Sequence, residues 1–129
     1  MLFVDLIDPK AARHKKIVVK TARWLMRRFN KSGFSLEIAL VGKQTMNKNI
    51  LAFPPKANFP RPDLRQKPLG EIYLNPRIIL QQGWTIPYMV IHGFLHLLGY
   101  DHKKKNDRID MERLEQKLLG ELRLTKHDN

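Results

Sequence analysis

A short apolar run, Leu2 to Ile7, opens the chain and predicts a strand. Asp8 is a good N-cap and Pro9 suits a first helical position, so a helix is expected from there to about Asn30. Within it Val18, Ala22, Leu25 and Phe29 are spaced 4, 3 and 4, which makes one buried stripe. Arg13, Lys16, Lys20, Arg23 and Arg27 follow a spacing of 3, 4, 3 and 4 and make a basic stripe. Lys20 lies ~200° round the helix from Val18, so the basic stripe faces solvent, opposite the core.

The turn Lys31-Ser32-Gly33 leads to a second expected strand, Phe34 to Val41, ending at Gly42. Ile50 to Phe53 reads as a short strand stopped by Pro54 and Pro55. Residues 54–69 are proline-rich and carry Lys56, Arg61, Arg65 and Lys67, the composition of a functional or mobile loop. A further strand is expected over Glu71 to Leu74, and a short helix from Pro76 to about Gln82. Gly83 separates that helix from a longer one, roughly Thr85 to Leu98. Asn106 or Asp107 is expected to cap a last helix, with Ile109 or Asp110 early and Leu114, Leu118 and Leu119 on its inner face. Gly120 is expected to end it, before a frayed tail. The pattern predicts a single α/β (α+β) domain over residues 1–129, with a small mixed sheet of about four strands covered by helices.

Composition narrows the class. At 129 residues the chain can bury a core without staples. It has no cysteine, which excludes disulfides, any disulfide-linked partner and thiolate metal sites, and suits a reducing, cytoplasmic setting. Asp5 and Asp8 break the N-terminal apolar run, so it reads as neither a signal peptide nor a membrane span. The 24 Lys and Arg against 12 Asp and Glu leave a net charge of +12, more than solubility asks of so small a domain. That excess favours a polyanionic partner, nucleic acid first and an acidic membrane surface second. Five cations in line on the first helix, with no acid among them, suit a phosphate-tracking surface; the other reading is an ordinary solvated helix face.

Chemistry concentrates in the run I-H-G-F-L-H-L-L-G-Y-D-H, the most informative stretch of the chain. His92 and His96 are four apart within the apolar helix and so lie on one face. Gly99 can take the left-handed conformation that ends a helix, letting the chain turn back and bring His102 to the same point. Three neutral nitrogen ligands with a fourth position open is the arrangement of a catalytic zinc. The spacing H-x3-H-x2-G-x2-H is that of the metzincin motif, but the Glu that serves those proteases as general base is replaced here by Gly93. The alternative is a set of core or surface histidines with no ion. Imidazole ligands also suit nickel and other divalent transition metals.

A zinc on three neutral imidazoles would lower the pKa of its bound water toward ~7, making His92, His96 and His102 catalytic through that water. Asp101, beside the third histidine, reads as an outer partner that orients a histidine or as a cap for the next helix, ahead of a catalytic base. Tyr100 either lends a hydroxyl or packs. Phosphodiester cleavage suits a site without a carboxylate base, because in RNA the neighbouring 2′-OH is the attacking group and the ion need only stabilise charge. Phe53, Phe59 and Trp84 are candidates for stacking on unpaired bases, or for the core.

These residues resemble the YbeY endoribonucleases, also called rRNA maturation factors. The likeness rests on H-G-F-L-H-L-L-G-Y-D-H at 92–102, N-I-L-A-F-P at 49–54, similar to the family's D-V-L-S-F-P, and L-G-E-I-Y-L at 69–74, similar to its G-D-I strand. The resemblance implies a metal-dependent, single-strand-specific endoribonuclease, usually assigned one zinc. Its implied role is maturation of the 3′ end of small-subunit ribosomal RNA and ribosome quality control, with ribosomal RNA and ribosomal proteins as partners. It carries over His92, His96 and His102 as metal ligands. It also implies an arginine ahead of the D-V-L-S-F-P segment; this chain is shorter there and runs T-M-N-K-N, with Lys48 as the nearest cation. Lysine does not reproduce a bidentate guanidinium contact. Two further readings compete: a ribosome-associated RNA-binding factor with little or no nuclease activity, and a metal hydrolase acting on a small molecule or peptide.

Overall fold

Alternation along Phe34–Leu40 (β2) sends Leu36, Ile38 and Leu40 to one side, each fully buried, while Glu37 and Ala39 face the other and stay half-exposed. That strand is central in the computed structural model, which describes residues 1–55 and 67–125. The sheet order is β1-β2-β4-β3, with β1 Leu2–Leu6, β3 Ile50–Phe53 and β4 Lys67–Leu74. β1, β2 and β4 run parallel, and β3 closes the edge antiparallel to β4, pairing Ile50 with Leu74.

The expected helix after β1 is divided. Pro9–His14 winds as a 3-10 turn, capped by Asp8 accepting from the Lys10 amide, and α1 proper is Lys15–Arg28. Val18, Ala22 and Leu25 are fully buried as their spacing predicts; Phe29 is the C-cap and only partly buried. Asn30 takes a left-handed φ of 57°, and the Lys31 amide closes back on the Met26 carbonyl.

Two other boundaries differ from expectation. β4 begins at Lys67 rather than after Gly70, because pairing with β2 draws in Lys67 and Pro68; proline is tolerated there next to a register shift at Ser35/Leu36. Gly70 (φ 139°) sits in that irregularity, where a Cβ would come within 2.5 Å of the Phe53 carbonyl. The last helix, α4, runs Lys105–Thr125, starting before both predicted caps and passing through Gly120. A helical glycine costs ~1 kcal/mol against alanine, which burial of Leu118 and Leu122 on either side of it offsets. Its inner stripe is Met111, Glu115, Leu118 and Leu122; Leu114 and Leu119 flank it, partly buried.

α1 packs on β1 and on α3 (Ile86–Leu97), and α3 lies along β3 and β4 with α4 against its outer side. A short α2, Pro76–Gln81, links β4 to α3 and is capped by Asn75, whose side chain accepts from the Ile78 amide. The core lies between the helices and one face of the sheet, while the face bearing Asp5, Glu37, Glu71 and Phe53 keeps those residues exposed or half-exposed. The loop cations Lys56, Arg61 and Arg65, Phe59 and the tail at 126–129 lie outside the described residues.

Candidate metal centre

α3 is fixed at both ends by its own sequence. Thr85 caps it, the hydroxyl accepting from the Tyr88 amide at 3.2 Å, and Pro87 occupies the first turn. At the other end the Gly99 amide bonds the His96 carbonyl and the Tyr100 amide bonds the Leu95 carbonyl, around a Gly99 φ of 101°. This is a Schellman closure, and it reverses the chain so that residues 100–102 return over the last turn.

The reversal brings the three histidines together. One ring nitrogen from each of His92, His96 and His102 lies within 4.8 Å of the others, close enough to share one ion. The Nε2 atoms of His92 and His96 are 3.1 Å apart, and the ring centroids of His96 and His102 are separated by 5.1 Å. Burial, reinforced by the neighbouring imidazoles, lowers the pKa of His96 and favours its neutral, lone-pair-bearing form.

The other nitrogen of His92 is engaged by a residue the sequence reading did not single out. Glu115 of α4 is 1% exposed, and its Oε2 lies 2.5 Å from His92 Nδ1. A carboxylate only accepts, so Nδ1 carries the proton and Nε2 is left with the free lone pair that faces the other two rings. Tyr88 donates its hydroxyl to Glu115 Oε1 at 3.1 Å, and burial with the adjacent Glu115 charge pushes its pKa up to about 12. Both oxygens of the buried acid are therefore satisfied. The detectable signal was a glutamate on the stripe Met111, Glu115, Leu118 and Leu122, whose spacing of 4, 3 and 4 demands an apolar residue.

Asp101, expected as the carboxylate beside a histidine, is exposed and accepts from the Lys103 amide at 2.9 Å, bracing the turn into α4. Gly93, where a metzincin has its glutamate, is buried against the sheet: a Cβ there would come within 2.6 Å of Ile50 Cδ1 and 3.3 Å of Ile72 Cγ2. Glycine at this position lets α3 approach β3 and β4.

His92 and His102 line a cavity of ≈ 260 Å³ whose walls also include Asn49, Trp84, Tyr88, Arg108, Glu112 and Glu115. Trp84 is 45% exposed and stacks on Tyr88 at 5.1 Å with the rings 7° from parallel. The Arg108 side chain, also unforeseen, has no ion-pair or hydrogen-bond partner among the described residues. Lys48 is exposed one residue before Asn49. The basic stripe of Arg13, Lys16, Lys20, Arg23 and Arg27 lies on the outer side of α1 and its preceding turn, exposed except for partly buried Lys20, and none of it lines this cavity. Phe53 packs edge-on against Tyr73 on the helix-free sheet face, away from the histidines.

A small α+β domain that carries three converging imidazoles on one helix and the turn after it defines a class, that of compact proteins with a histidine cluster that could hold one metal ion. The chain belongs to the YbeY family, whose model, described as Endoribonuclease YbeY, matches residues 37–123. It is 31% identical to the endoribonuclease YbeY of Thermodesulfovibrio yellowstonii, over 92% of this chain and 80% of that protein. It is 37% identical to that of Legionella pneumophila (strain Paris), over 62% of this chain, and there it spans only 55% of the relative's length. The fold also matches a solution structure from Thermotoga maritima, with a TM-score of 0.52 at 19% identity, covering 100% of this chain and 96% of that one. Among the described residues no helix is long and apolar enough to cross a membrane.

Proposed function

We propose that this chain is a divalent-metal-dependent, single-strand-specific endoribonuclease that acts in maturation of the 3′ end of small-subunit ribosomal RNA and in ribosome quality control. The observation that carries the reading is the convergence of His92, His96 and His102 with the His92 proton pinned on Nδ1 by buried Glu115. That donor set fits a metal: three neutral nitrogens and an oriented lone pair, with an outer carboxylate of the kind that raises ligand basicity. These three histidines would hold one zinc ion, or nickel or another divalent transition metal. When bound, such an ion supplies Lewis acidity that stabilises charge developing on a phosphoryl oxygen.

The chain's own groups divide the remaining tasks. Arg108, on the same cavity wall and free of partners among the described residues, holds a phosphate oxygen. The exposed face of Trp84 takes an unpaired base, which selects single strands over duplex. Glu115, committed to His92 and Tyr88, positions the ligand and moves no substrate proton. With Gly93 in the metzincin glutamate position, peptide hydrolysis lacks its base, whereas RNA brings a 2′-OH as nucleophile. The +12 charge suits ribosomal RNA as a partner; ribosomal proteins and a cytoplasmic setting follow from the family likeness.

One observation favours a second reading, an RNA-binding factor with little nuclease activity: the segment before β3 offers Lys48 and no arginine. Purified protein incubated with single-stranded RNA, with and without a chelator, separates the two. Cleavage that needs the metal and spares duplex RNA is the expected result. Retained RNA binding with no metal-dependent cleavage would replace the nuclease by the binding factor.

A further inference from the structure

The three parallel strands end side by side, and the residues just beyond their ends build a second and larger cavity. Ile7 comes after β1, Val41 and Gly42 after β2, and Asn75 after β4; all four line a cleft of ≈ 780 Å³. Clefts at the carboxyl ends of parallel strands are a recurrent place for ligands. Lys10, Arg13, Lys43 and Arg77 line this one, against a single acid, Asp8.

The charges are left for a ligand. The side chains of Lys10, Lys43 and Arg77 are exposed and have no hydrogen-bond or ion-pair partner among the described residues. Arg13 Nε donates to His14 Nε2 at 3.2 Å, which steadies the guanidinium and keeps its remaining N–H groups free. Asp8 is turned into the wall: its Oδ1 accepts from the Lys10 amide, and its carboxylate lies so close over Gly42 that a Cβ there would meet Oδ2 at 2.5 Å. Ile7 and Leu80, 56% and 45% exposed, put apolar surface beside the cations. Phosphate beside an uncharged, partly apolar unit is the chemistry of a nucleotide.

This cleft and the histidine cavity open at the same end of the sheet. Asn75 lines the first and Asn49 the second, and the Asn75 amide bonds the Asn49 carbonyl at 3.0 Å. The loop after β2 connects them, with Lys43 at the first, Asn49 at the second and exposed Lys48 between.

We propose that the Lys10–Arg13–Lys43–Arg77 cleft is a second binding site, for the phosphodiester backbone of single-stranded RNA whose neighbouring stretch reaches the histidines. This rests on the reading of the chain as an RNA-cutting protein.

The test compares the full chain with two double variants of equal charge change, Lys43→Ala with Arg77→Ala in the cleft and Lys117→Ala with Arg123→Ala on exposed α4. A fluorescent oligouridylate of about 12 nucleotides, within the usual single-strand site size, is titrated in chelator over about 50 to 200 mM salt. The cleft pair weakens binding on the order of tenfold at the lower salt and flattens the slope of log K against log salt by ~1.4, while the α4 pair matches wild type. Equal loss in both pairs, no loss in the cleft pair, or no RNA binding by wild type overturns the site. Tighter, equally Lys43- and Arg77-dependent binding of duplex RNA overturns its single-strand assignment. The outcomes separate this site from the nuclease reading: cleavage by wild type with undiminished binding by the cleft pair removes the cleft alone. Absent cleavage with weakened binding removes the nuclease and keeps the cleft.

Discussion

Two cavities open at one end of the same sheet, and they are built on opposite principles. Around the histidines the groups other than Arg108 interlock: Glu115 is held by Tyr88 and His92, and Trp84 stacks against Tyr88. Around the strand ends, three of the four cations have no partner among the described residues and stand in solvent. Hydrogen-bonded order fixes direction, which a metal or a reacting bond requires. Unpaired charge attracts at a distance without fixing direction, which suits a backbone that must slide through. The contrast fits the proposed division between holding an RNA strand and acting on one bond of it.

Breaking the first cavity alone sharpens the contrast most. His96→Ala is expected to abolish zinc binding, read by calorimetry, and with it any RNA cleavage, while RNA affinity in chelator shifts by less than about twofold, since free imidazoles add little to phosphate attraction. Cleavage that survives undiminished would remove the three-histidine site from the chemistry. Glu115→Gln comes next. An amide can still accept from His92, but without the charge that raises its basicity, so zinc affinity falls about 10- to 100-fold and salt leaves that deficit unchanged. A zinc affinity equal to wild type would make Glu115 a packing residue only.

Trp84→Ala is expected to weaken single-stranded RNA, but not duplex, toward the low end of the ~1–3 kcal/mol that a base–aromatic stack contributes, because Tyr88 remains behind it. Equal weakening of both forms would mean that Trp84 only shapes the wall. The smallest effect is assigned to Lys16→Ala with Arg23→Ala on α1, which line neither cavity. These should reduce RNA affinity only about two- to threefold, equally for all sequences, with a flatter salt dependence. A larger loss would move the main RNA track onto α1.

The convergence of the three histidines was legible because it is local: i, i+4 geometry and one glycine turn are written within eleven residues, 92 to 102. The sheet was legible in outline for the same reason, through the alternation of Phe34–Leu40 and the Asp8-Pro9 helix start. What escaped depends on elements remote in sequence. Glu115 meets His92 across 23 residues, and Arg108 reaches the cavity only once α4 has docked on α3. The start of β4 at Lys67 is set by β2, against the local preference of Pro68. The basic cleft gathers residues 10, 13, 43 and 77 from three segments, and only the topology shows that they converge.

The sheet face that bears no helix among the described residues also matters for encounter. Asp5, Glu37 and Glu71 stand on it, Glu37 directly opposite Glu71 and Asp5 one same-face step along β1, while the unpaired cations lie at the strand ends and along α1. A molecule of net charge +12 divided in this way has a dipole as well as a monopole. In the field of a polyanion, the unpaired cations at the strand ends favour approach from that end over approach by the sheet face that bears Asp5, Glu37 and Glu71. The layering that buries the core on one side thus also selects the orientations from which collisions become productive.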